Sequence, residues 1–461
     1  MAMPNSPSSS AAVFDRVGPE GRARSKALAA FRRAVSASPG YRQWLVRAGV
    51  DPETVSDIDE VPYLAKPDVF SGSVSDWIEG GRAAEAAELL TSSGRGGAFS
   101  IGVSSRAEQL AVQATTDTAL RAAGANEHST TLLLNCLPMG INVTTALATV
   151  AMPSVNLEMA QEIYERLGPD FDRVIILSEP LFLKEFAERL YADHGAAWSA
   201  TQTNCIVGGE WVSEPWRAYV GSLFGMPDPS ERSDDGILIS MGAAELGLNL
   251  LFETPELRAL RSMLDDGDRG AELVERDHGY TPSLFAFDPD RLFVEEREHP
   301  NGSTTLAFTP LDRRLLPLVR YDLGDMAEIV PAERVNVVLE RHGSPTRFAT
   351  PVIAFWGRHS DRIAAGETTI RPERIKQRLF SFAAEAAVLT GRFYLDPAPA
   401  LTLHLQLRPN TIPTPRLASD LSSFLGDVAR SACRVEIHPH DDYPFHAAGD
   451  YQHKPIYHSV T

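Results

Sequence analysis

Between Leu157 and Ser240 the chain alternates short apolar runs of strand length with amphipathic stretches of helical spacing. Leu157, Ala160, Tyr164 and Leu167 share one helical face, and Gly168-Pro169 ends that helix. Val174-Ile175-Ile176-Leu177 follows as a buried strand, then a helix over 180–191. Cys205-Ile206-Val207 reads as a second strand closed by Gly208-Gly209-Glu210, and Ile237-Leu238-Ile239-Ser240 as a third. Strands that are apolar throughout, separated by helices, imply an α/β fold with a mostly parallel sheet covered on both faces.

The flanking regions differ. Residues 20–50 carry a helical pattern through Leu28, Phe31, Val35, Tyr41 and Trp44. After the alternating region the chain turns β-rich at 283–295, 303–309 and 326–330. Beyond Trp356 the order is a helix (372–382), strands at 392–395 and 401–408, a helix (415–432) and a strand at 434–438. That order predicts a small α+β domain. A chain of 461 residues exceeds the roughly 250–300 that one hydrophobic core organises. The expected division is a flexible N-terminus (1–15), a large domain (16–356) and a small C-terminal domain (357–461).

Charge narrows the functional classes. The 43 Lys+Arg against 61 Asp+Glu leave a net charge of −18, which speaks against nucleic-acid binding. Cys136, Cys205 and Cys433 form no CxxC pair or disulfide framework, so a reducing, cytoplasmic location is expected. The start, MAMPNSPSSSAA, lacks the apolar core of a signal peptide, and no apolar run reaches membrane-spanning length.

Five segments carry chemistry. Leu89–Ser100 contains Ser92-Ser93-Gly94-Arg95-Gly96-Gly97, whose backbone N–H groups could surround phosphate oxygens; it also reads as ordinary surface loop. Met241-Gly242-Ala243-Ala244-Glu245-Leu246-Gly247 follows a strand, where a carboxylate can hold a cation beside a nucleotide or simply face solvent. In Pro317–Asp325, an Asp after a Gly turn can accept from a ribose diol or form a local turn. Phe355–Ile363 lies at the expected domain boundary, and Asp450–Pro455 lies near the C-terminus.

Taken in order, these segments resemble the ANL adenylate-forming superfamily, and within it the phenylacetate-CoA-ligase-like branch. The Ser/Gly loop is similar to that branch's SSGTTG phosphate loop, and Gly208-Gly209-Glu210 to its adenine-side G-[AG]-E element. MGAAELG takes the place of YGxTE, PLVRYDLGD that of PLxRYxTGD, and GRHSDRI that of GRxDDxI. The resemblance spans roughly residues 60–457. It implies that a carboxylate attacks the α-phosphorus of ATP to give an acyl-adenylate and pyrophosphate. A nucleophile, typically CoA, then displaces AMP. By position, the resemblance makes Ser92, Ser93, Gly94, Arg95, Gly96 and Gly97 the phosphate loop and Glu245 the Mg²⁺ ligand. Gly209, Glu210, Met241, Gly242, Ala244, Asp325 and Arg358 become nucleotide contacts. Lys454 becomes the adenylation lysine and Ser360-Asp361 the hinge. Leu137, Pro138, Met139, Gly140 and Asn142 fall in the zone that lines the acyl pocket.

The chain departs from the pattern at several of these positions. Met241 stands where an aromatic usually stacks on adenine, and Ala244 replaces a Thr. Arg95 replaces a Thr, Ser360 replaces the first hinge Asp, and Lys454 lacks the GK signature. Transfer to an amine, or nitrite-dependent diazotisation of an aromatic amine, is therefore an alternative to CoA transfer. A nucleotide- or acyl-binding protein without catalysis is a second alternative. The expected cofactors are ATP and Mg²⁺, and the partners a small, aromatic acid and an acceptor (CoA, an amine or nitrite). No nucleic acid and no membrane are expected, and the chain is read as a monomer or homodimer. His438-Pro439-His440-Asp441-Asp442 is read as surface histidines, although a metal site is the competing possibility.

Overall fold

A computed structural model of the protein describes residues 19–92, 99–138, 140–195, 202–231, 233–265, 270–358, 362–365, 368–381, 383–397, 401–412, 414–417, 419, 422, 434–445, 451 and 455–458. The chain divides into two compact units. The first comprises residues 1–111, 243–247 and 287–323, and the second 112–242, 248–286 and 324–461. The boundary expected near residue 357 falls inside the second unit.

In the second unit the alternating region forms the expected sheet. Its strand order is Thr149–Ala151, Thr131–Cys136, Arg173–Ser178, Gln202–Gly208, Ile237–Ala243 and Gly247–Phe252. The first five pair in parallel, with Leu134 opposite Ile176 and Ile176 opposite Cys205. Every residue of Thr131–Cys136 and Arg173–Ser178 is buried, as strands covered on both faces must be. Leu133, Ile175, Ile206 and Leu238 form its core with Leu120 and Val143. Helices Leu157–Leu167, Pro180–His194 and Glu214–Leu223 supply the crossovers.

A second core lies under helices Pro255–Asp265 and Ala332–Arg341, where Leu257, Leu260, Val335 and Val338 pack with Val352 and Trp356. Strand Val352–Arg358 pairs antiparallel with Ser283–Phe285 and with Tyr321–Val330. The last strand starts earlier than the apolar run at 326–330 suggests. Likewise, the single β stretch expected over 283–295 is two strands, because Asp288–Asp290 turns the chain before Leu292–Glu298. At the C-terminal end Leu389–Asp396, Thr402–Leu407 and Arg434–His438 make a three-stranded sheet, preceded by helices Pro372–Leu379 and Ala383–Val388. Most of the helix expected over 415–432 lies outside the described residues.

In the first unit the helical pattern of 20–50 is two helices, Pro19–Ala37 and Pro39–Arg47. Pro39 cannot donate within a helix interior, so the chain restarts there, with the Ser38 hydroxyl accepting the Tyr41 N–H at 3.2 Å. Tyr41 then packs with Phe31, Trp44 and Trp77. The unit also holds two antiparallel pairs, Glu88–Thr91 with Ile101–Ser104 and Leu292–Glu298 with Thr304–Pro310, and a short parallel pairing of Leu64–Ala65 with Tyr321-Asp322.

Candidate active site

In the first unit, strands Glu88–Thr91 and Ile101–Ser104 bring the two ends of the Ser/Gly loop together. The Ser92 N–H donates to the Ser100 carbonyl at 3.0 Å, and the Ser100 N–H donates to the Ser92 hydroxyl at 2.9 Å. These bonds join the chain on either side of residues 93–98. Ser93, Gly94, Arg95, Gly96 and Gly97 lie outside the described residues.

Glu245 sits at the neck of that loop. Its Oε2 accepts the Ser100 hydroxyl at 2.7 Å and its Oε1 accepts the Tyr321 hydroxyl at 2.9 Å. The side chain is buried. Arg313 fixes the backbone beneath it, donating to the Glu245 carbonyl at 2.7 Å and to the Ser104 hydroxyl at 3.0 Å. Strand Ile101–Ser104 runs so close to the Ala244–Glu245 backbone that a Cβ on Gly102 would lie 1.8 Å from the Ala244 carbonyl oxygen. The sequence placed Glu245 in a loop after a strand; it stands in the short turn between Ile237–Ala243 and Gly247–Phe252.

The donor set suits a magnesium ion. Each Glu245 oxygen accepts one hydroxyl, which leaves each a lone pair for a hard cation that otherwise takes water and phosphate oxygens. Ser100, Arg313 and Tyr321 were not singled out as site residues from the sequence. Ser100 closes the Leu89–Ser100 segment and Tyr321 lies inside PLVRYDLGD, but Arg313 carries no local signal. Arg320, next to Tyr321, takes φ +51° and donates to the carbonyls of Asp59 and Val61 and to Glu295, while stacking 4.0 Å over the Tyr63 ring. It anchors the strand that carries Tyr321.

In the second unit, Asp325 and Arg358 are register partners on adjacent strands, with Arg358 Nε 3.8 Å from Asp325 Oδ1. Asp325 is buried and follows Gly324 at φ +77°, whereas the Arg358 side chain is half exposed. Met241 and Gly242 end strand Ile237–Ala243, Met241 half-buried and Gly242 exposed. Ala244, in the first unit with Glu245, is half-buried. Ser360, Asp361 and Lys454 lie outside the described residues.

Gly209, at φ +91°, turns the chain after strand Gln202–Gly208 and leads to Glu210. The Glu210 Oε2 accepts the Tyr457 hydroxyl at 2.5 Å and Lys376 Nζ at 2.8 Å, and Lys376 lies 4.5 Å over the Tyr457 ring. Beside it, burial first and Glu210 second push the Glu179 carboxyl up to about 7.

Near the end of strand Thr131–Cys136, the Asn135 amide donates to the Ile141 carbonyl at 2.8 Å and its oxygen accepts the Leu137 N–H at 3.2 Å. Asn135 therefore shapes the segment expected to line an acyl pocket. Leu137 packs against the sheet core, Pro138 is half-buried, and Gly140 and Asn142 are exposed. Met139 lies outside the described residues.

No family model matches the chain, and no curated protein matches it. Solved structures do. 2-Hydroxyisobutyryl-CoA ligase in the postadenylation state, in complex with R3-HIB-AMP, gives a TM-score of 0.69 at 12% identity, covering 96% of this chain and 89% of that one. The same ligase in an open conformation with 2-HIB-AMP and CoA gives 0.55 at 13% identity, covering 96% and 91%. Anthranilate CoA ligase AuaEII with anthranoyl-AMP gives 0.50 at 13%, covering 79% and 65%. The chain has the fold of the ANL adenylate-forming enzymes.

Proposed function

We propose that this chain activates a small carboxylic acid with ATP, releasing pyrophosphate, and passes the acyl group to CoA, releasing AMP. The supporting observation is the buried Glu245 carboxylate, oriented by Ser100 and Tyr321 at the neck of a Ser/Gly loop in a chain of this fold.

In this reading the substrate carboxylate attacks the α-phosphorus and the bond to the pyrophosphate oxygen breaks. Backbone N–H groups of Ser93, Gly94, Arg95, Gly96 and Gly97 would receive the departing phosphates, with Ser92 and Ser100 holding the loop's neck shut. Glu245 would hold Mg²⁺, which when bound neutralises charge on the pyrophosphate. Asp325 would accept from the ribose diol, with Arg358 beside it. The Glu210 carboxylate is engaged by Lys376 and Tyr457, so an adenine contact from Gly208–Glu210 would come from backbone groups. Lys454 would neutralise charge near the reacting oxygens, with a turn about Ser360-Asp361 bringing it in.

The finer reading is an aromatic acid and the phenylacetate-CoA-ligase-like branch. Its support is the order of the sequence motifs, with Leu137, Pro138, Met139, Gly140 and Asn142 as pocket wall. The test is ATP–pyrophosphate exchange and AMP release over an aryl-acid panel, with CoA, amines or nitrite plus amine as acceptor. Acid-dependent exchange with CoA-dependent AMP release is expected. AMP only with nitrite and an amine would replace CoA by an N-bond-forming acceptor. No exchange with any acid would leave a nucleotide-binding protein without catalysis.

A further inference from the structure

The C-terminal three-stranded sheet carries a side-chain cluster that includes none of the residues assigned to adenylation above. His404 lies in strand Thr402–Leu407, and Glu436 and His438 lie in its parallel neighbour Arg434–His438. The register sets His404 opposite Glu436 and Gln406 opposite His438. Side chains two apart on a strand share a face, so Glu436 and His438 stand together beside His404. His404 Nδ1 is 3.0 Å from His438 Nε2 and 3.4 Å from Glu436 Oε2, and the three atoms all lie within 4.8 Å of one another.

Hydrogen bonding alone serves these three atoms poorly. With both imidazoles neutral, the Nδ1 of His404 carries at most one proton. If it carries one, that proton is shared between the carboxylate and the lone pair of His438. If it carries none, His438 donates to it and its lone pair is spent, so the carboxylate oxygen 3.4 Å away faces no proton from either ring. A single cation would satisfy all three lone pairs. Bond lengths of about 2.0–2.2 Å to nitrogen and oxygen put tetrahedral ligand atoms roughly 3.3 Å apart, and the 3.0 and 3.4 Å contacts lie close to that separation.

The surroundings hold the ligands in place. Arg434 Nη2 binds the other carboxylate oxygen of Glu436 at 3.0 Å. Phe445 stacks on Tyr394 at 3.9 Å and tilts against the His404 ring at 4.8 Å, while Tyr443 meets the His438 ring edge-on at 5.8 Å. The Tyr443 hydroxyl is buried and has no hydrogen-bond partner among the described residues. The His404 and Glu436 side chains keep 13% and 34% exposure, which leaves a route for an ion to enter.

We propose that His404, Glu436 and His438 form a divalent transition-metal site of the zinc type, with water completing the coordination, that clips strand Arg434–His438 to Thr402–Leu407. Imidazole and carboxylate in a two-to-one ratio suit Zn²⁺ over Mg²⁺ or Ca²⁺. The proposal is independent of the adenylation reading and needs no activity to test.

The experiment is a Zn²⁺ titration of the full chain against a chromophoric chelator, with Co²⁺ absorption reporting geometry. One tight equivalent per chain with a four-coordinate Co²⁺ spectrum is expected. That equivalent should vanish in His404→Ala and His438→Ala and weaken at least tenfold in the near-isosteric Glu436→Gln, while His440→Ala keeps it. Circular dichroism of each variant checks that it is folded, and Glu436→Gln keeps the test valid if a histidine variant is not. No tight equivalent in the parent chain, or equal uptake by the parent and Glu436→Gln, would overturn the site.

Discussion

The Ser100 hydroxyl donates to Glu245 Oε2 at 2.7 Å, although the two residues are 145 positions apart. On the other side Tyr321 donates to Oε1 from 76 positions away. The carboxylate is thus aimed by two hydroxyls that adjoin the neck of the Ser/Gly loop and the 317–325 motif. A hydrogen bond to a charged group contributes about 1.5–3 kcal/mol, so removing either hydroxyl is expected to slow ATP–pyrophosphate exchange about 10- to 100-fold. Tyr321→Phe and Ser100→Ala should also raise the Mg²⁺ concentration needed for half-maximal rate. Exchange that is unchanged in both variants would detach Glu245 from the reaction.

Gly102 makes a prediction about stability. An added methyl would lie 1.8 Å from the Ala244 carbonyl oxygen, so the backbone holding Glu245 would have to move. Gly102→Ala is expected to destabilise by about 1–3 kcal/mol or more, measured by chemical denaturation. Gly72→Ala is the control: its Cβ meets nothing within 4 Å and its φ is not positive, so a change within about 0.5 kcal/mol is expected.

Lys184 is fully buried, donating to Glu188 at 2.6 Å and to the Leu389 carbonyl at 2.6 Å. Burial lowers its pKa from 10.5 to about 8, with Glu188 opposing. Between those values the unfolded chain holds a proton that the folded chain has lost, so this residue's contribution rises with pH across the window and is flat below it. Glu188 keeps Tyr219 and Arg408 as partners when Lys184 is replaced. The melting temperature of the parent minus that of Lys184→Met should therefore climb from pH 8 to 10.5. A difference that falls over that range would reverse the assignment.

Burial raises the thiol pKa of both Cys136 and Cys205, far above the ordinary range for Cys205. Neither should react with a thiol reagent at pH 8 in the native protein, and both should react in denaturant. Two fast-reacting thiols in the native state would contradict this.

Lys376 and Tyr457 both bond to Glu210, and the Leu395 N–H donates to the Tyr457 carbonyl at 2.8 Å. The C-terminal segment is tied down at that point. Tyr457→Phe leaves the ring and removes the hydroxyl, so amide exchange over 456–458 is expected to accelerate at least tenfold while the 173–178 strand stays protected. Equal exchange in both proteins would show that the backbone bond alone holds the segment.

The parallel sheet was legible because strands such as Arg173–Ser178 are buried on both faces and so are apolar along their whole length. The break at Pro39 was legible in principle, from a proline and a preceding serine. The residues of the candidate site were legible one by one; their pairing was not. Glu245 and Asp325 stand in recognisable motifs, and Ser100 and Tyr321 lie in two others, but nothing local says that hydroxyls 145 and 76 positions away meet the Glu245 carboxylate. His404 shows the same limit: the alternation of its strand was clear, yet nothing local says which strand pairs with it or in what register.

The chain passes from one unit to the other at residues 111/112, 242/243, 247/248, 286/287 and 323/324. The five residues 243–247, which hold Glu245, belong to the first unit while the sequence on both sides belongs to the second. No single cut can therefore release either unit whole. A genetic exchange that transplants residues 1–111 as a module leaves the carboxylate, Arg313 and Tyr321 behind. Ser100 would arrive in its new host without the groups it is hydrogen-bonded to or packed beside here.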